Sequence, residues 1–233
     1  MSTPTETIVR LVQTGLSAAA VPADAGPMQA YMKTDMPFYG VKKPARVPIL
    51  REMRRVRLPD RAAYFEAVRA LWALPHREER YAALDLAQHH RRFIDADSLP
   101  LYEQLIREGQ WWDLVDPVAS NLVGIALLKE RARLTPVMER WIEDDDLWIR
   151  RTAILSQLRH KEQTDEALLF RFCLARADEE AFFIRKAIGW ALRQYSYAAP
   201  DAVVGFLRAH QAELSGLSVR EAAKVLKRTG VAI

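Results

Sequence analysis

A hydrophobic and charged pattern that returns about every 35 residues constrains this chain more than any other feature. Ile149-Arg150-Arg151-Thr152-Ala153-Ile154 is echoed one interval later by Ile184-Arg185-Lys186-Ala187-Ile188. One interval before Arg151 stands Asp116, in Asp116-Pro117-Val118-Ala119, and one before that Tyr81, in Arg80-Tyr81-Ala82-Ala83-Leu84. Two helices and their turns fill a period of this length. One such pair cannot bury its own apolar face, so neighbouring pairs must stack. The expected fold is all-α: an α-solenoid of HEAT-like antiparallel helix pairs with a concave groove.

Local signals agree with that reading. Almost every segment has helical periodicity, and no alternating strand pattern is convincing. Asp60 can cap a helix running through Trp72, with Ala62, Phe65, Val68, Leu71 and Trp72 on one side. Pro75 ends it, and Glu78–Phe93 begins the next. Further helices are expected at about 98–107, 113–129, 135–143, 146–159, 164–176, 180–195, 200–209 and 217–228. Pro48, Pro59, Pro75, Pro100, Pro136 and Pro200 are expected near helix starts or in joints, where a missing N–H is tolerated. Pro117 belongs to a first turn if Asp113 is near the cap. Residues 1–24 are expected to form a partly flexible segment with one short helix at best, followed by a single repeat domain over 25–233.

Several function classes are disfavoured. The single cysteine, Cys173, lies in an apolar run and reads as a buried thiol of a reducing compartment. No G-x-S-x-G, P-loop or dinucleotide fingerprint occurs. The histidines (His76, His89, His90, His160, His210) lack zinc-ligand spacing, and the adjacent His89-His90 pair reads as surface. No metal and no cofactor are expected. Neither a secretory start nor an apolar run approaching the roughly 20 residues of a membrane span is found, so a cytoplasmic protein without membrane contact is expected.

Charge is uneven. The chain carries +4 overall, yet residues 33–61 hold nine cations against three carboxylates. Arg220, Lys224, Lys227 and Arg228 crowd the C-terminal end. Such runs are either solvated helix faces or attractors of polyanions, because Lys and Arg neutralise phosphates and release counterions.

The 35-residue register places Asp116, Arg151 and Lys186 at equivalent positions of successive repeats. Trp112 precedes Asp116 by one turn and Trp190 follows Lys186 by one turn, so all five can share a surface. The alternative is that the tryptophans are core and the charges form ordinary pairs between repeats. A carboxylate beside indole faces suits stabilisation of a sugar-like oxocarbenium ion, and arginine suits a neighbouring phosphate through its planar donor fork.

Trp111-Trp112-Asp113-x-Val115-Asp116, Leu147-Trp148-Ile149-Arg150-Arg151-x-Ala153-Ile154-Leu155 and Phe183-Ile184-Arg185-Lys186-Ala187-Ile188-Gly189-Trp190-Ala191-Leu192-Arg193 together resemble the DNA alkylation repair enzymes, glycosylases built of HEAT-like repeats. Tyr31-Met32-Lys33 followed by Pro37-Phe38-Tyr39-Gly40-Val41 resembles that family's opening. The resemblance spans about residues 25–230 and implies removal of cationic N3- or N7-alkylated purines from DNA. It implies Asp116, Trp112 and Trp190 as catalytic-site residues with Arg151 beside them. The groove would then bind DNA, with contacts from Tyr31, Lys33, Lys42, Lys43, Arg159, Lys186 and Arg193. The implied partner is double-stranded DNA carrying alkylated purines, bound by a monomer that is nucleoid-associated when so engaged. Pro117, directly after the acid, departs from the family pattern and bears on the geometry of Asp116.

The chemistry is consistent with one carboxylate. A cationic base leaves without protonation, whereas a neutral leaving group needs a second, acidic carboxyl. Asp113 is the only nearby second acid and is expected to serve as a helix cap, and Trp111 is expected to be structural. Two other readings stay open: a relative that binds damaged or branched DNA without catalysis, and a HEAT-repeat scaffold for proteins.

Overall fold

In the computed structural model, which describes residues 2–228, helices take up most of the chain and no strand occurs among those residues. The helices form two compact units, Met1–Ile94 and Asp95–Ile233.

The first unit opens with α1 (Pro4–Ala18). Thr3 Oγ1 accepts from Glu6 N–H and Glu6 Oε2 accepts from Thr3 N–H, a reciprocal capping box, and Pro4 stands in the first turn. Ile8, Val12 and Leu16, one turn apart, are buried as α1 packs on α3 (Lys43–Met53) and α4 (Arg61–Trp72). The segment expected to be partly flexible is therefore a 15-residue helix, because a capped start and an apolar stripe coincide there. Asp60 caps α4 as expected, its Oδ1 accepting from Ala63 N–H. α2 (Pro22–Met32) and α5 (Arg77–His89) complete the unit. His90 departs from the surface reading: it packs against Tyr64 and Phe93, and burial pushes its imidazole down to about 4.

The segment Pro37–Val41 is held by α5. The fully buried Glu78 carboxylate accepts the N–H groups of Tyr39, Gly40 and Val41 at 2.9–3.1 Å. Glu79 accepts the Tyr39 hydroxyl at 3.0 Å, and the Tyr39 ring stacks on His76 at 3.8 Å. Gly40 has φ +82°, and a Cβ there would lie 2.1 Å from the Val21 carbonyl, so only glycine fits this turn.

The second unit stacks helix pairs. It contains α6 (Leu99–Gly109), α7 (Trp112–Val118), α8 (Gly124–Lys129), α9 (Arg131–Trp141), α10 (Leu147–Leu155), α11 (Glu166–Ala175), α12 (Phe182–Tyr195), α13 (Pro200–Ala209) and α14 (Gly216–Arg228). Helices α7, α10, α12 and α14 pack in succession, one from each repeat. The single helix expected at 113–129 runs through α7 and α8, but a π-helical turn, Ala119–Val123, separates them. Pro117 lies inside α7 rather than in its first turn, and without an N–H it cannot pair with the Asp113 carbonyl four residues back. Pro48 and Pro136 likewise lie inside α3 and α9 instead of at joints. In α9 the buried side chains Leu134, Met138 and Trp141 hold the helix across the lost hydrogen bond.

Glycine permits a close approach of α12 and α14. A Cβ on Gly189 of α12 would fall 2.5 Å from Glu221 Cβ and 2.7 Å from the Ser218 carbonyl oxygen of α14. Neither atom is the tip of a flexible side chain. Gly189→Ala should therefore force α12 and α14 apart and lower stability by about 1–3 kcal/mol, outweighing alanine's better helix propensity. Urea unfolding measures it, and an unchanged or higher midpoint would contradict the packing described.

Candidate active site

Asp116 and Arg151 form the one buried ion pair in which both partners were expected to be functional. Arg151 Nε donates to Asp116 Oδ1 at 2.8 Å and Nη2 donates to Oδ2 at 2.9 Å, a bidentate fork. Asp116 is 9% exposed and Arg151 4%. Arg151 Nη1 also donates to the Phe183 carbonyl, and its guanidinium carbon lies 5.8 Å from the centre of the Phe183 ring. Asp116 sits on α7, Arg151 on α10 and Phe183 on α12, so one guanidinium ties three consecutive repeats. It is buried and engaged at three nitrogens, and the expectation that Arg151 faces a phosphate is not met.

The Asp116 carboxyl titrates above its ordinary value. Burial raises it most, the Arg151 guanidinium pulls it back, and the Asp113 charge raises it further. Asp113 itself is no cap: α7 is capped at Trp111 without a side-chain hydrogen bond, and Asp113 stands in the first turn where its charge suits the helix dipole.

The four tryptophans near the pair divide by role. Trp111, Trp148 and Phe183 form a cluster with ring centres 4.9–6.0 Å apart, which agrees with a structural Trp111. The Trp111 indole N–H is buried without a hydrogen-bond partner. Trp112 and Trp190 are half-buried. Trp112 lies one turn from Asp116 on α7, and Trp190 lies on α12, with α10 packed against both helices. Trp148 and Phe183 escaped the sequence reading as site residues, although both stand inside the matching motifs.

The expected DNA-contacting residues separate. In the second unit, Lys186 Nζ lies 2.8 Å from Glu221 Oε1 and Arg193 Nη1 lies 2.7 Å from Glu221 Oε2, while Arg159 is exposed. Glu221 was missed, yet it follows Lys186 by one further 35-residue interval. In the first unit Tyr31 is 71% exposed, and Lys33 and Lys43 are exposed. Lys42 is exposed and pairs with Asp24 at 2.8 Å.

The model of one protein family, described as DNA alkylation repair enzyme, matches residues 12–226. The chain belongs to the DNA alkylation repair enzyme family. The fold agrees: the chain is similar to a predicted DNA alkylation repair enzyme from Enterococcus faecalis, at 29% identity and a TM-score of 0.79, with 89% of this chain and 96% of that one covered. No curated protein matches at a significant level. Family membership supports a role in DNA repair with DNA as substrate. No helix among the described residues is long and apolar enough to cross a membrane.

Removing the cation from the buried pair tests its structural part. Arg151→Met should cost about 3–5 kcal/mol, since it strands a buried carboxylate. The urea midpoint should fall at constant m-value. A loss below about 1 kcal/mol would mean that the pair is solvated and weak.

Proposed function

We propose that this protein is a DNA glycosylase that hydrolyses the N-glycosidic bond of cationic N3- or N7-alkylated purines. The observation that carries the reading is a single buried carboxylate, Asp116, fixed by Arg151, with the half-buried Trp112 one turn away on the same helix and the half-buried Trp190 on α12, which packs against the helix of Arg151. The alkylated base already bears positive charge and departs without a proton donor. The sugar it leaves becomes oxocarbenium-like, and an ionised Asp116 lowers the energy of that cation and orients the attacking water. The low polarity around Asp116 strengthens this attraction relative to water. Trp112 and Trp190 hold the sugar and backbone of the lesion nucleotide, each adding cation–π attraction of about 0.5–2 kcal/mol.

Arg151 acts here through Asp116. Its fork keeps the carboxylate in one orientation and favours the charged form against the cost of burial. The contacts to DNA phosphates fall instead to the partly exposed Lys186 and Arg193 and the exposed Arg159, with Tyr31, Lys33, Lys42 and Lys43 as the corresponding set of the first unit. The chemistry calls on no metal or cofactor. The retained acid and both tryptophans favour catalysis over binding alone, and the cytoplasm is the compartment the reading implies.

The decisive test is release of N7-methylguanine from duplex DNA. Wild type should release the base, and Asp116→Asn should lose at least about a hundredfold in rate, as removal of one preorganised electrostatic group does. Absence of release by the wild type would overturn the proposal.

The pH dependence has a defined sign. Protonated Asp116 cannot stabilise a cation, so the enzymatic rate should fall as pH drops through its carboxyl value. Because burial raises that value, the acid limb should lie above the ordinary range of an aspartate near 3.8. Single-turnover base release, corrected for spontaneous depurination, measures it. A profile flat down to pH 4 would place the charge elsewhere.

A further inference from the structure

Glu221 stands at the convergence of three cations. Lys186 Nζ and Lys224 Nζ lie 2.8 and 2.6 Å from Oε1, and Arg193 Nη1 lies 2.7 Å from Oε2. The glutamate side chain is 8% exposed, whereas those of Lys186, Arg193 and Lys224 are 35%, 25% and 55% exposed. The anion therefore lies beneath and the cations lie above it, nearer solvent. Both carboxylate oxygens are occupied. Each ammonium has N–H donors beyond the one that meets Glu221, and Arg193 binds it through Nη1.

The backbone makes this convergence possible. Lys186 and Arg193 are seven residues apart on α12, and Glu221 and Lys224 three apart on α14, so each pair shares a helix face. Gly189, between the two α12 cations, admits α14 to within a distance that any Cβ would block. With three positive charges and one negative, the cluster is net +2 and presents its cations outward.

We propose that Glu221 is a positioning residue that gathers Lys186, Arg193 and Lys224 into a clamp for a phosphodiester of the DNA backbone, with Lys224 a contact of its own. The proposal extends the reading of this face as DNA-binding. Three unpaired cations this close repel one another and spread into solvent; a buried carboxylate offsets the repulsion and fixes their directions. A phosphate arriving from the solvent side then meets donors already aligned, which lowers the ordering cost of binding. The low titration of Glu221, to about 2, is in keeping with this: burial works against its charge, and the donated hydrogen bonds of Lys186 and Lys224 outweigh burial.

The test turns on a sign. Glu221→Gln adds one unit of net positive charge, and simple attraction of a polyanion predicts tighter binding. Loss of positioning predicts the opposite, a dissociation constant for an undamaged duplex raised about tenfold, the equivalent of one charge-assisted hydrogen bond. Tighter or unchanged binding by Glu221→Gln, with the thermal midpoint retained, overturns the proposal. Lys224→Met, on an exposed side chain, keeps the question open to measurement should Glu221→Gln fold poorly. It should weaken binding and reduce the salt slope of log K by about 0.9; an unaltered slope overturns the clamp. Undamaged DNA separates this outcome from catalysis: a protein that releases no alkylated base yet shows both effects keeps the clamp and loses the glycosylase reading. A wild type without salt-sensitive duplex affinity refutes both.

Discussion

The second unit depends on the fork between Arg151 and Asp116. An isolated carboxylate at this depth would carry a desolvation cost of several kcal/mol and would take up a proton instead. Arg151 meets both oxygens and gives its remaining terminal nitrogen to the Phe183 carbonyl, so three repeats share one guanidinium. Phe183 in turn packs against Trp111 and Trp148, which closes the site from one side with aromatic carbon. A buried pair of this kind is weak support for stability as such, because an apolar replacement could serve as well.

The same register is used pairwise along the chain. In the first unit the Arg46 guanidinium lies over the Tyr81 ring at 4.4 Å, one interval apart. In the second, Asp116 pairs with Arg151 and Lys186 with Glu221, again one interval apart. Each contact joins equivalent positions of adjacent repeats, the usual way a solenoid ties its units. The middle pair differs in its burial: both of its side chains are almost wholly covered, whereas Lys186 stays partly exposed. Of the two readings posed by the sequence, the pairing of Asp116 with Arg151 matches the structural one for the charges, while Trp112 and Trp190 are only half-buried and so are not full core residues.

Much of this was legible in the residues because it is local or periodic. The Asp60 cap, the order of the helices after residue 95 and the alignment of Asp116 with Arg151 follow from side-chain chemistry and a constant interval. The N-terminal helices are less legible: Pro27 and Pro48 lie inside α2 and α3, where a missing N–H interrupts the ladder that a local pattern counts on. Glu221 needed only one more interval. The grip of Glu78 on the 39–41 backbone and the tight seat of Gly189 depend on contacts about 30 or more residues apart, which no local pattern encodes. The π-helical turn after Pro117 belongs in the same class.

On the glycosylase reading, chemistry through one fixed carboxylate has a narrow scope. Such chemistry would favour departure of a base that is already a cation, whereas a neutral one would also need a proton donor. That asymmetry is the central claim, and lesion selectivity measures it most directly. Single-turnover release from otherwise identical duplexes should be compared for N7-methylguanine, a cationic lesion, and hypoxanthine, a neutral one. The account predicts release of the cationic base with none of the neutral base above the uncatalysed rate. Comparable acceleration of both would contradict it and would require a general acid elsewhere in the site.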